Sequence, residues 1–361
     1  MKKLIQLSVL IMFSLLAGYN FFTSQDTLNI KKVGNYPHIT WIEEKMLLSK
    51  DDKYLFVVNM KTPNQIDILD ISDLTTPKLF KTIKVSDEKE NFIAEYKLSK
   101  NKKYLYTANY VDGRILVYDI QDINQIKKFK EIPIQNLSSF VPNGEYLYVS
   151  GCVDSKYCDY LNIYDLDKNK YVAKSNIKGI NTLTISTNEN RLFYGISSSR
   201  KERIGLADIS NPLSIKVLDE TGKIFNNRGN FSTSASLEDI VFSNDNSKIY
   251  IAGNEVGLMV YDISDNQLKN IQLTAGTHSG MIFNNTEGIY NISLGKKNNL
   301  YLVGTLNTKY KQINSIKGVN KALLISGRDI VVSNKEYFLI VGSEYGLEVY
   351  KISNSNNKNE L

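Results

Sequence analysis

The chain has 361 residues, 44 Lys and Arg against 38 Asp and Glu for a formal charge of +6, and only six Pro and two Cys. That length allows one large or two ordinary domains with a sizeable core, and 23 Tyr and 14 Phe beside abundant Ile and Val favour strands. The positive excess is small, comes partly from Lys2 and Lys3, and is scattered over Lys-Asn turns, so it reads as a solubility feature and argues against a nucleic-acid partner.

The first segment runs from Met1 to about Phe22: Lys2 and Lys3, then LIQLSVLIMFSLLAG without a charge. A basic start, an apolar middle and small residues at Ala17 and Gly18 fit an export signal. The run is also close to the length that spans a bilayer, so an uncleaved N-terminal anchor stays open beside it. No cysteine follows Leu15-Leu16-Ala17-Gly18 as a bacterial lipoprotein would need, and no later stretch is apolar enough to cross a membrane. The organisation expected is residues 1–24 as signal peptide or anchor, 25–353 as one folded domain and 354–361 as a disordered tail.

After this segment the chain repeats itself. DTLNIKKVGNY, from Asp26, has the look of an outer strand without a unit of its own. Then KYLFVVN (Lys53), KYLYTAN (Lys103), EYLYVSG (Glu145), RLFYGIS (Arg191), KIYIAGN (Lys248), GIYNIS (Gly288) and FLIVGS (Phe338) recur at steps of 40 to 57 residues. Polar turns such as LSKDDK, LSKNKK, ISTNENR and FSNDNSK precede them, built from residues that tolerate tight turns and bond their own backbone. Apolar segments ending in Asp-Ile-Ser or a relative of it follow: IDILDIS, ILVYDIQ, LNIYDLD, IGLADIS, GLMVYDIS and GLEVYKIS, with LYLVGTL a poorer copy in the sixth unit. PKLFKTIKV, IKKFKEIPI and SIKVLDE serve as outer strands.

A period of this length with four strands per unit predicts an all-β, seven-bladed β-propeller. After GLEVYKIS the chain enters NSNNKNEL, so the last blade lacks its outer strand. The expectation is that the strand from Asp26 completes it and closes the ring.

Several positions depart from the repeat. Cys152 and Cys158 flank a connection in the third unit, and in an exported chain they are expected to pair as a disulfide stapling a hairpin loop. SSSRKER, 197–203, gathers Arg200, Lys201 and Arg203 on one turn, with Tyr345 at a comparable turn. Such a cluster reads first as a solvated surface. The connection 220–236 is long and rich in Asn, Ser and Gly, fit either to cover a channel mouth or to be a mobile insertion. Only His38 and His278 are present, too few imidazoles for zinc or haem, and no Gly-x-Ser-x-Gly accompanies His278.

GLMVYDISDN, GLADISNPLSIKVL and the pairing of RDIVVSNKEYFLIVG with GLEVYKIS resemble LVIVD repeats, and LSKDDKYLFVV and LSKNKKYLYTA resemble the units of YVTN-type bacterial propellers. The resemblance covers about residues 28 to 353. It implies an exported bacterial β-propeller, and no single reaction or catalytic set comes with it.

Counting back from each turn puts Lys45, Glu95, Ser138, Thr182, Asp239, Gly280 and Asp329 at one position of the innermost strands. There Glu95, Asp239 and Asp329, with Arg328, Lys45 and His278 nearby, would gather at a channel mouth as a ligand-binding rim or a solvated polar one. The expected function is an exported, monomeric, non-enzymatic scaffold without a cofactor. It would hold an envelope protein or surface polymer in the periplasm or at the cell surface, touching membrane only through its N-terminal segment. The alternative is a lactonase-type propeller hydrolase using calcium on Glu95, Asp239 and Asp329.

Overall fold

The computed structural model describes residues 28–39, 46–59, 61–86, 92–109, 112–153, 160–196, 203–221, 237–243, 245–253, 257–274, 278–285, 288–294, 300–306, 309–315, 329–332, 338–343 and 346–354. Among them are 28 strands, one short 3₁₀ turn at Ile123–Gln125 and no helix long and apolar enough to cross a membrane.

The strands form four-stranded antiparallel sheets, seven among the described residues. The first holds β2 (Leu47–Leu48), β3 (Tyr54–Val58), β4 (Gln65–Asp70) and β5 (Lys78–Lys84). The second holds β6 (Ile93–Leu98), β7 (Tyr104–Asn109), β8 (Arg114–Asp119) and β9 (Lys127–Pro133). The third is β10 (Gln135–Asn143), β11 (Tyr146–Cys152), β12 (Tyr160–Asp165) and β13 (Lys170–Lys178). In the fourth stand β14 (Ile180–Ile185), β15 (Arg191–Ile196), β16 (Arg203–Asp208) and β17 (Lys216–Thr221). β18 (Leu237–Phe242), β19 (Lys248–Gly253), β20 (Gly257–Asp262) and β21 (Lys269–Thr274) make the fifth. β22 (His278–Asn285), β23 (Gly288–Leu294), β24 (Leu300–Leu306) and β25 (Lys309–Ser315) make the sixth, so the segment from Leu300 is a regular third strand. The last sheet pairs β26 (Asp329–Val332), β27 (Phe338–Ser343) and β28 (Gly346–Asn354) with β1 (Leu28–Tyr36), the strand from the start of the chain, along the outer edge of β28.

Two local devices recur. In the turn between first and second strands a serine hydroxyl donates to the side chain two residues on and accepts the amide that starts the next strand. Ser49 Oγ reaches Asp51 Oδ1 at 2.7 Å while Tyr54 N–H donates to Ser49 Oγ at 3.0 Å. Ser99 with Asn101, Ser186 with Asn188 and Ser243 with Asp245 repeat the arrangement. The next residue adopts positive φ without being glycine: Asp52 (56°), Lys102 (54°), Glu189 (60°) and Asn246 (56°).

At the same end, where the third strand turns into the fourth, the Asp closing the third strand of four sheets accepts a backbone N–H two residues on. Ser72 donates to Asp70 at 2.9 Å, Gln121 to Asp119 at 3.0 Å, Ser210 to Asp208 at 2.9 Å and Ser264 to Asp262 at 2.9 Å. The same aspartates stand in register with the lysine that opens the outer strand: Asp70 with Lys78, Asp119 with Lys127, Asp208 with Lys216 and Asp262 with Lys269. The recurring Asp-Ile-Ser is therefore a turn cap with a cross-strand counter-charge.

The core lies between sheets. Phe56, Ile66, Ile68, Leu105 and Tyr118 join the first sheet to the second; Tyr106, Ile115, Phe140 and Leu147 join the second to the third. Tyr148, Leu161, Leu192 and Tyr194 link third and fourth, and Phe193, Leu206, Ile249 and Met259 link fourth and fifth. Leu55, Leu69, Val331 and Leu347 bring the first sheet against the last. Inner strand β18 runs beside β22, and β22 beside β26. The first four sheets thus bury both faces of their middle strands, which explains their unbroken apolar runs.

Candidate functional site

The first strand of each sheet carries the candidate rim. Glu95 pairs with Ala108, Thr182 with Gly195, Asp239 with Ala252 and Asp329 with Gly342, one register position repeated in four sheets. In the third sheet the register corrects the sequence count: Ser139, not Ser138, stands opposite Ser150. The turn there closes directly from Asn143 to Tyr146 through Gly144 at φ 58° and lacks the serine cap of its relatives, so counting from the turn slips by one.

Glu95 is the candidate whose surroundings are defined, and its carboxylate is used between sheets. Ser139 Oγ donates to Oε1 at 3.1 Å and the Phe140 N–H donates to Oε2 at 2.9 Å. Lys97, two residues on and on the same side of β6, forms an ion pair with Oε1. Its ammonium also donates to the Phe140 carbonyl and, at 3.3 Å, to the Leu183 carbonyl of β14, and stands 5.4 Å from the centre of the Phe140 ring. Both side chains are about three-quarters withdrawn from water, at 22% and 24% exposure. One acid and one base so tie the inner strands of three successive sheets. Lys97 escaped the sequence count because only one position per strand was followed. Glu-x-Lys on a strand places both groups on one face, and that spacing was the available signal.

The backbone of Asp239 and Asp329 is described and that of His278 opens β22 opposite Leu294; the surroundings of these side chains lie outside the described residues, as do Lys45 and Arg328 altogether. Among the described residues no three His, Cys, Asp or Glu side chains come together as metal ligands. Both Glu95 oxygens accept from protein donors and Oε1 is paired with Lys97, so a cation held there would have to displace the ammonium.

The turns at the Ser49 end form a second inter-sheet layer. Lys102 Nζ donates to Ser49 O at 3.2 Å, and Lys100 Nζ to Thr187 O at 2.9 Å with Glu189 at 3.3 Å. Asn143 Nδ2 donates to Glu189 O at 3.3 Å, and Thr187 N–H and Oγ1 to Asn246 Oδ1 at 2.8 and 2.9 Å. Burial pushes the Lys102 ammonium below its ordinary range, partly offset by Asp52 and Asp51.

Of the basic turn, Arg203 is described: it pairs with Glu220, which also accepts from Tyr194 Oη at 3.1 Å. Burial, then the Glu220 charge, drives the Tyr194 phenol upward. Gly205 leaves the space for that ring, since a Cβ there would fall 2.0 Å from Tyr194 Cζ. Arg200, Lys201, Tyr345 and most of the long connection, residues 222–236, lie outside the described residues. Cys152 is buried, with Asn136 Nδ2 at 3.6 Å from its sulfur; Cys158 lies outside them.

A family model described as Lactonase, 7-bladed beta-propeller, matches residues 22–145 and ends before β11. No curated protein matches the chain. Among solved structures it is similar to the β-propeller domain of Myceliophteria thermophila Cps50 (Swd1), with a TM-score of 0.53 and 14% identity over 69% of this chain and 79% of that one. Identity that low speaks for the shared fold alone. With 1544 solved chains matching, the fold selects no activity by itself.

Proposed function

We propose that this chain is an exported seven-bladed β-propeller of the LVIVD or YVTN kind, its ring closed by β1. It works as a non-enzymatic scaffold whose channel-mouth loops hold an envelope protein or surface polymer. The observation that carries the reading is the engagement of Glu95. A carboxylate bonded to Ser139, the Phe140 amide and Lys97 holds sheets together, and a rigid ring presenting loops needs such ties and no metal. Cys152 and Cys158 are proposed to bridge the loop between β11 and β12, a pairing that intact-mass measurement with and without reduction and alkylation checks.

A second reading is favoured by the lactonase similarity over residues 22–145: a calcium-dependent hydrolase in which Asp239 and Asp329, with Glu95 released from Lys97, hold the ion. Calorimetric titration of the full chain with calcium, beside the Asp239→Ala, Asp329→Ala double variant, separates the two. Heat of binding that the double variant loses would overturn the scaffold reading and call for lactone substrates. Silence in both proteins upholds it.

A further inference from the structure

Leu79, Phe80 and Phe129 are large apolar side chains left 50%, 38% and 57% exposed on the outer strands of adjacent sheets. They sit at matching places. Lys78-Leu79-Phe80-Lys81 opens β5 and Lys127-Lys128-Phe129-Lys130 opens β9. Each ring rests on a tyrosine of its own sheet, Phe80 on Tyr54 at 5.0 Å and Phe129 on Tyr104 at 5.3 Å between centroids. Lys81 and Lys130 are turned aside to carbonyls of the following sheets, Asn124 O and Leu166 O. The two rings are thus held outward and firmly backed, which lowers the ordering cost of burying them.

The start of the chain reaches the same wall. β1 is the outer strand of the last sheet, which packs on the first. Lys31 pairs with Lys351 as Lys78 pairs with Asp70, and both partners stand opposite the residue that opens the second strand, Phe338 or Tyr54. Lys31 therefore occupies the place of Lys78, and Leu28 extends about 10 Å further past the same rim. Five residues, 23–27, separate Leu28 from the apolar run ending at Phe22, a reach of at most roughly 20 Å.

We propose that Leu79, Phe80 and Phe129, flanked by Lys78, Lys127 and Lys128, form a second membrane contact through which the outer wall of the first two sheets lies on the lipid surface. The inference rests on the N-terminal run remaining in the bilayer. Half-exposed aromatic rings with lysine stems beside them suit the headgroup boundary. The rim aspartates Asp70 and Asp119 balance Lys78 and Lys127 in register, so the contact is driven by apolar burial and charge has a minor part.

The test uses the full chain in vesicles of phosphatidylcholine with a minor fraction of phosphatidylglycerol, carrying brominated acyl chains. Phe80→Trp, Phe129→Trp and Val217→Trp are compared one at a time. Val217 is 45% exposed at the start of the fourth sheet's outer strand, further round the wall. The expected result is loss of most of the added emission at positions 80 and 129 and none at 217. Flotation of the chain with vesicles without quenching at 80 or 129 would overturn the wall contact and leave the anchor standing. Failure to float would remove the anchor and the contact with it. Equal quenching at 217 would also overturn it, as the sign of a whole rim against the membrane.

Discussion

Glu95 of β6 accepts the amide of Phe140 on β10 at 2.9 Å, so a side chain completes the backbone bonding of the neighbouring sheet. Removing it leaves the amide without its acceptor and the Lys97 ammonium without a counter-charge, held only by the Phe140 and Leu183 carbonyls. Glu95→Ala is expected to cost about 2–4 kcal/mol, read as a lower urea midpoint with an unchanged slope. Glu95→Gln, which can still accept from Phe140, should lose about half as much or less. Equal stability of Glu95→Ala and the parent would show that the contact is not a tie.

Glu189 holds φ at 60° beside a largely exposed partner, Lys100. Left-handed backbone costs a residue with a Cβ roughly 1 kcal/mol, and an exposed ion pair returns little. Glu189→Gly should therefore raise stability by about 0.5–1 kcal/mol. Asn246 adopts the same conformation, yet its side chain holds both Thr187 donors. Asn246→Gly is expected to destabilise, and thermal unfolding of the two variants side by side checks the opposite signs.

Asp67 is 8% exposed, and burial raises its carboxyl above the ordinary range despite the hydrogen bond from Thr82. A carboxyl whose folded pKa exceeds its unfolded one binds protons better when folded. Its favourable contribution is complete below the unfolded pKa and is lost as pH rises through the folded one. Asp67→Asn keeps an acceptor for Thr82 and removes the charge. The variant should gain on the parent as pH climbs from 3 to 8, followed by denaturation midpoints.

Asp245 behaves in the opposite sense. Hydrogen bonds from Ser243 first, then the Ser247 amide, hold its carboxyl at about 2. Its contribution is present above the ordinary carboxylate value and fades as pH falls toward about 2. Asp245→Ala should be less stable than the parent at pH 7, with the gap closing in acid.

Gly34 sits where β1 slips register between Lys32 and Gly34, and a Cβ there would lie 2.1 Å from Leu74 O. Because the obstacle is backbone, Gly34→Ala should cost roughly 2–3 kcal/mol. The strand most affected is β1, so faster proteolysis near residue 28 is the readout, with unchanged cleavage elsewhere.

The strands were legible because their period is set by burial on both faces. All seven segments read as second strands, from KYLFVVN to FLIVGS, are strands in the structure, and the segment from Asp26 supplies β1 beside β28. The turn serines were legible for the same local reason: their bonds span five residues or fewer. Ser139 was missed by one position because Asn143 and Gly144 close a shorter turn. The Lys97 contacts were beyond reach of any count along the chain, since Phe140 and Leu183 approach it only through the packing of three sheets. Non-glycine residues at positive φ were hidden too, because Lys102 and Glu189 carry no mark of that conformation in their side-chain chemistry.

The pairing of β1 with β28 also fixes the order of events at birth. Translation yields β1 well before its partner, with Leu28 matched to Asn354, so every strand between them must be made before that edge is satisfied. Any product cut short by a ribosome or a protease ahead of Gly346 keeps an open strand edge at its front end. The sheet that holds β1 thus cannot be completed until the strands of all the other sheets have been synthesised.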